Sequence, residues 1–225
     1  MKAQAANISG GYLLRQYKDK KPDLLAREVK NAMNAGGVVW REPASSDDEG
    51  ATKERWSNLD FLRKGKARSV WKDYWPPNRC RFSWDAIGRI RIGKGLEWLL
   101  VTAFAHSGEL EHNPEPPLDG ADERIVSAID EAKRRYGIEP GIDWINTNSH
   151  LATRLSALSF LRKHGVCSRM LFVYFHAEET KEDDLFPSLE TWDTVVTTTE
   201  QRLGLTGESV LERRISQMFL PAKCD

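Results

Sequence analysis

The sequence predicts an α/β fold with a mixed central sheet, on three observations. Residues Trp84 to Leu110 read as a β-hairpin whose second arm is almost continuously apolar, two amphipathic helical stretches follow, and Met170–Phe175 (MLFVYF) is a late buried strand. Strand signals interleaved with helical periodicity place helices on the faces of a sheet rather than in a bundle.

The 225 residues suffice for one sizeable core. We divide them into 1–55, an N-terminal helix with a flexible linker packed on the core, and 56–225, the α/β domain with its β-hairpin core flanked by helices. Up to Lys21 the chain is polar and expected to be loose. Pro22 suits the first turn of a helix, Leu24, Leu25, Val29, Ala32 and Met33 form its apolar face, and Gly36-Gly37 ends it. Val38–Trp40 is a short strand, and Glu42–Thr52 (EPASSDDEGAT) is a loop. Leu59 and Leu62 give Trp56–Arg63 a helical spacing. The segment Val70–Phe82 mixes Trp71, Tyr74 and Trp75 with basic residues, a pattern that suits either base stacking or a packed connector.

In the hairpin, Ile87, Ile90 and Ile92 alternate with Gly and Arg, and Gly93-Lys94-Gly95 supplies a turn able to take positive φ. The arm Trp98–Ala105 is the kind of strand that is covered on both faces. His112–Asp119 is a Pro-rich acidic loop. A helix from about Gly120 to Tyr136 aligns Ile125, Ala128, Ile129 and Ala132, and one from about Asn148 to His164 aligns Leu151, Leu155, Leu158 and Leu161. Ser188 caps a helix reaching Leu203, and a last strand falls within Ile215–Leu220.

With 33 basic and 33 acidic residues the net charge is zero, so overall charge points to neither nucleic acid nor membrane. Its distribution is uneven: ten Lys/Arg lie between Arg63 and Lys94 against two acids, Asp73 and Asp85. Such a block either holds a polyanion or is a solvated face. Three scattered cysteines, Cys80, Cys167 and Cys224, with no CxxC pair and no secretory or spanning segment, fit a reduced, cytoplasmic setting without membrane attachment. There is no GxxxxGK[ST] phosphate loop, HExxH or GxSxG elbow. His106–His112 (HSGELEH) gathers two His and two Glu, but at spacings that fit a surface loop better than a zinc site.

Trp84-Asp85-Ala86, the hairpin, Glu97–Val101 leading to Ala105-His106, the helix carrying Ala152, Arg154 and Leu155, and Leu171–Phe175 together resemble a bacterial group in the PD-(D/E)XK, or restriction-endonuclease-like, nuclease superfamily. The resemblance covers Trp56 to Pro221 and implies a restriction-endonuclease-like mixed sheet. It also implies a phosphodiesterase site in which an Asp opening one strand and an acid-x-Lys pair on the next hold Mg²⁺ and position a water. Asp85 matches the first position, but the acid position falls on Thr102 and the Lys position on Phe104. The following helix carries His150 and Thr153 where the group tends to carry Gln and Asn.

Thr is a poor ligand for a hard cation and Phe carries no charge, so the expected protein is a catalytically degenerate nuclease. It would bind DNA through backbone contacts from Arg79, Arg81, Arg89, Arg91 and Lys94. An active metal-dependent endonuclease is the alternative. It would use Asp85, His150 and Arg154 for catalysis and a rebuilt Mg²⁺ site of Asp85, Glu28 and His106, since His150 and Arg154 share a helical face. A protein–protein subunit of a bacterial defence or DNA-processing system is a third reading.

Overall fold

The computed structural model describes residues 8–43, 56–62, 64–76, 82–111, 123–177 and 185–223. Five strands form the central sheet: β1 (Val38–Arg41), β4 (Ala86–Ile92), β5 (Gly95–Phe104), β6 (Ser168–His176) and β7 (Ile215–Pro221), adjacent in that order. The pairs β1–β4 and β4–β5 are antiparallel, whereas β5–β6 and β6–β7 are parallel, so the sheet is mixed, as the sequence predicts. A separate two-stranded ribbon joins β2 (Trp56–Ser57) to β3 (Ser83–Trp84).

The parallel pairs require crossovers, and helices supply them. The α6 helix (Trp144–Lys163) connects β5 to β6, and α7 (Leu189–Leu203) connects β6 to β7. With α3 (Lys66–Tyr74) and α5 (Glu123–Tyr136), they cover one face of the sheet, where Ile87, Leu100, Phe104, Met170 and Tyr174 point. The other face, with Ile90, Leu99, Val101, Ala103, Leu171 and Val173, packs on α1 (Gly10–Lys20) and α2 (Pro22–Met33). From Leu99 to Phe104 every residue of β5 is buried, the result expected of a strand covered on both sides.

Three buried tryptophans lock the layers, each with its indole N–H satisfied. Trp84 donates to the Asn58 carbonyl (2.7 Å), Trp144 to Leu203 (2.8 Å) and Trp192 to Phe175 (2.8 Å). Ser188 caps α7 by accepting from the Thr191 N–H at 3.1 Å, as its position before the helix predicts.

Three expectations need correction, and for the aromatic-basic segment the packing favours one of the two readings left open. Of the segment before Lys21, Gly10–Lys20 is helical, not loose: Ser9 caps α1, and Leu13, Leu14 and Tyr17 are buried, with the Tyr17 hydroxyl donating to the Pro221 carbonyl. Residues 56–62 form β2 and turns rather than a helix, because Trp56 pairs across to Trp84. The aromatic-basic segment is a packed connector. Trp71 and Trp75 stack 5.6 Å apart, with Phe82 edge-on to both, and all three are buried. The second long helix begins at Trp144, with a break at Asn148 (φ −158°, ψ 76°). The Asn148 Oδ1 there accepts from the Leu151 N–H, acting as an internal cap for the stretch that carries Arg154. Residues 44–52, the loop His112–Asp119, Cys80 and Cys224 lie outside the described residues, and Cys167 is an exposed free thiol.

Candidate functional site

Asp85 stands just before β4. Because Ala86 is in register with Val101, Asp85 lies opposite Thr102 on β5. Its N–H donates to the Val101 carbonyl at 2.9 Å, and its Oδ2 accepts from the Ala103 N–H at 2.8 Å. The carboxylate is thus tied to the backbone of the neighbouring strand by a charge-assisted bond.

Thr102 and Phe104 share the face covered by α6, as alternation requires. Phe104 is fully buried, stacked 5.4 Å from Tyr174 and 5.6 Å from the His150 ring. Thr102 meets a cation supplied by the chain itself. Arg154, on α6 and only 4 % exposed, donates from Nε to the Thr102 Oγ1 at 3.2 Å. Its Nη1 donates to the His150 carbonyl (2.7 Å) and its Nη2 to the Ser83 carbonyl (3.1 Å). The guanidinium carbon lies 5.8 Å over the Phe82 ring. The fork ties α6 to β5 and to the ribbon strand β3 in one contact, a geometry that suits arginine and not lysine.

These residues do not fit the Mg²⁺ that the resemblance implies. The residue at 102 offers a neutral hydroxyl already engaged by a guanidinium, and a cation bridging 85 and 102 would meet a fixed positive charge. Nor do the other candidate ligands converge. Glu28 lies on α2, across the sheet from α6, where its Oε1 accepts from Arg27. His106 sits past the end of β5, its Nε2 3.2 Å from the Ile8 carbonyl and its ring stacked on Phe186. Among the described residues no group of three or more His, Cys, Asp or Glu could hold a metal ion.

One acid of the His106–His112 segment has a role that the sequence reading did not assign to it. Glu109, in the short helix α4 (Gly108–Glu111), accepts from the Ala105 and His106 N–H groups at 2.9 and 3.0 Å. Burial pushes its carboxyl above the usual range, opposed by those two bonds and by His106, and the charge of Asp85 adds to the upward push. Its spacing after the strand is a turn-capping pattern that could have been read. Glu97 faces away from Thr102, as alternation predicts, and pairs with Arg169 (3.1 Å) and Arg214 (2.8 Å).

The basic residues lie elsewhere on the hairpin. Arg91 and Lys94 are exposed near the turn, and Asp85 to Arg91 spans six residues, about 20 Å along the strand. Arg91 and Lys94 therefore stand at the far end of β4 from Asp85. Arg89 lies between, its guanidinium 4.5 Å over the Trp98 ring and donating to the Leu96 carbonyl. Burial, and then the neighbouring charge of Arg41, lower its pKa from the usual value. Beside it runs a groove of about 520 Å³ lined by Arg41, Glu42, Trp56, Phe61, Leu62, Lys64 and Trp98. Arg41, Lys64 and Trp98 were not singled out by sequence, because strand pairing and a turn bring them together. Arg79 and Arg81 lie outside the described residues.

No protein-family model, curated protein or solved structure matches this chain.

Proposed function

We propose that this chain is a PD-(D/E)XK-like nuclease domain that has exchanged its metal for an arginine and acts by binding nucleic acid without cleaving it. The observation that carries this reading is the Arg154 guanidinium on Thr102, in register with Asp85. An Asp opening one strand and facing the 102 position on the next is the arrangement the resemblance implies, with a protein cation in place of a bound one. The binding surface is the groove beside the hairpin. Arg41 and Lys64 in the groove, and Arg89, Arg91 and Lys94 on the hairpin, offer charges to phosphates, while Trp98 and Phe61 pack together and hold Arg89 in place over the Trp98 ring.

The test uses the full chain on plasmid, linear and single-stranded DNA, with EDTA, Mg²⁺ or Mn²⁺. The expected outcome is no cleavage and a gel shift that weakens with salt and is lost in Arg89→Ala/Arg91→Ala. On duplex, each phosphate contact contributes about −0.9 to the slope of log K against log salt, so Arg91→Ala/Lys94→Ala reduces that slope by about two. Metal-dependent cleavage that Asp85→Ala abolishes overturns the non-catalytic reading. A shift unaffected by the hairpin substitutions, or none at low salt, overturns the nucleic-acid reading and leaves the protein-partner alternative.

A further inference from the structure

A second cavity lies on the α6 side of the sheet, remote from the hairpin groove. It occupies about 430 Å³ between α6, α7 and the paired strands β6 and β7. That volume lies in the range of small-molecule sites. Its walls are mainly apolar, with Leu151 and Leu155 from α6, Phe172 from β6, and Val196 and Leu203 from α7.

Into this apolar space the fold puts two carboxylates. Glu212, from the short 3₁₀ turn Glu212–Arg214 before β7, is 7 % exposed, and its Oε2 is buried without a hydrogen-bond partner. Glu200, from α7, gives one oxygen to the Gln217 amide, with Nε2 to Oε1 at 2.6 Å. Burial raises the Glu200 pKa, opposed by the Gln217 bond, and the nearby charge of Glu212 raises it further. None of the described residues lining the cavity is Lys, Arg or His.

Buried carboxylates are ordinarily paired, because an unpaired one forfeits its hydration without compensation. Among the described residues no group pairs with the Glu212 Oε2, and the cavity lies beside that side chain. A hard divalent cation does not suit the cavity, since it seeks six or more oxygens and among the described residues no group of three or more His, Cys, Asp or Glu comes together. An organic cation does, because it carries hydrogen-bond donors at one end and an apolar body at the other.

We propose that this cavity binds a small organic cation, a primary ammonium held between Glu200 and Glu212 on an apolar body lying against Leu151, Leu155, Phe172 and Val196. The apolar body sets the orientation and the two carboxylates set the charge selectivity.

Calorimetric titration of the full chain with n-hexylammonium, 1-hexanol and hexanoate tests this directly, since the three probes share a hydrocarbon body and differ in head group. The expected result is saturable one-to-one binding of hexylammonium, at least about tenfold weaker binding of hexanol, and none of hexanoate. Glu212→Gln, which removes the charge but keeps the shape, reduces hexylammonium affinity at least about tenfold and leaves hexanol unchanged. Equal affinity for hexylammonium and hexanol overturns the proposal, as does the absence of saturable hexylammonium binding by the wild type. A rise in melting temperature with Ca²⁺ that matches the rise with hexylammonium also overturns it. Should Glu212→Gln not fold, the ammonium–alcohol difference on the wild-type chain decides.

Discussion

Replacing Arg154 by Ala should be among the most destabilising single changes in this chain. The substitution removes, with a longer bond to Thr153, the three shorter hydrogen bonds of a buried guanidinium, to Thr102, His150 and Ser83. Bonds to charged groups contribute about 1.5–3 kcal/mol each, but they do not add when one side chain makes all three and water enters the vacated space. What stays behind are neutral acceptors, and each one left buried without a donor costs about 1–3 kcal/mol, so we take about 3–5 kcal/mol as the expected range. In a chain of this size that corresponds to a fall in melting temperature of about 6–20 °C. Urea unfolding followed by tryptophan fluorescence is well suited, because the chain has eight tryptophans. Arg154→Lys keeps the charge and loses the planar fork, so it should recover only part of the loss. A loss below about 1 kcal/mol for Arg154→Ala, or full recovery with Lys, would falsify the view that a rigid guanidinium joins α6, β5 and β3.

Four further outcomes are expected, two at the same site and two elsewhere in the fold. Restoring the acid alone, Thr102→Glu, places a carboxylate against Arg154, so we expect an internal ion pair and no Mg²⁺ binding by calorimetry. Adding Phe104→Lys buries an ammonium beside Tyr174, and that double variant should unfold at lower urea than Thr102→Glu; greater stability would count against the buried placement of Phe104. Gly10→Ala should destabilise by about 1–3 kcal/mol or more, since a Cβ there would sit 2.3 Å from the Ala103 backbone; an unchanged urea midpoint would contradict this contact of α1 with β5. For pH, Glu200 has a folded-state pKa raised above its ordinary 4.5, so the native chain holds this proton more tightly than the unfolded one. Its contribution to stability is present below pH 4.5 and is lost as pH rises through the folded value. Melting temperature against pH should therefore fall less steeply above 4.5 in Glu200→Gln than in the wild type, and identical slopes would refute the assignment.

The hydrogen bonding of Asp85 illustrates how the local and long-range levels divide. That a strand begins after it is written in the alternation of Ala86–Ile92, and that β5 is buried on both faces is written in its apolar run. Phe104, at the position of the Lys, lies in the core. What answers Asp85 depends on which residue of β5 falls in register and on what α6 lays over it, and neither is a property of the segment alone. His150 and Arg154 share a face by helical spacing, but only the crossover of α6 brings Arg154 onto Thr102.

Legible in the sequence alone are the alternation of strand and helix, the cap at Ser188, and the exclusion of common nucleotide and zinc motifs. These are local quantities, set by side-chain period and turn chemistry within a few residues. The tertiary structure decided the rest. It folded the polar N-terminus into α1, because Leu13, Leu14 and Tyr17 find the sheet and Gly10 lets the helix touch β5. It drew Trp56 into a ribbon with Trp84, separated the hairpin charges from Asp85 by the length of a strand, and set Glu200 and Glu212 facing one cavity from elements remote from the hairpin. Each of these rests on contacts between residues far apart in the chain, whose geometry is fixed only when the sheet closes its register and the helices settle on its two faces.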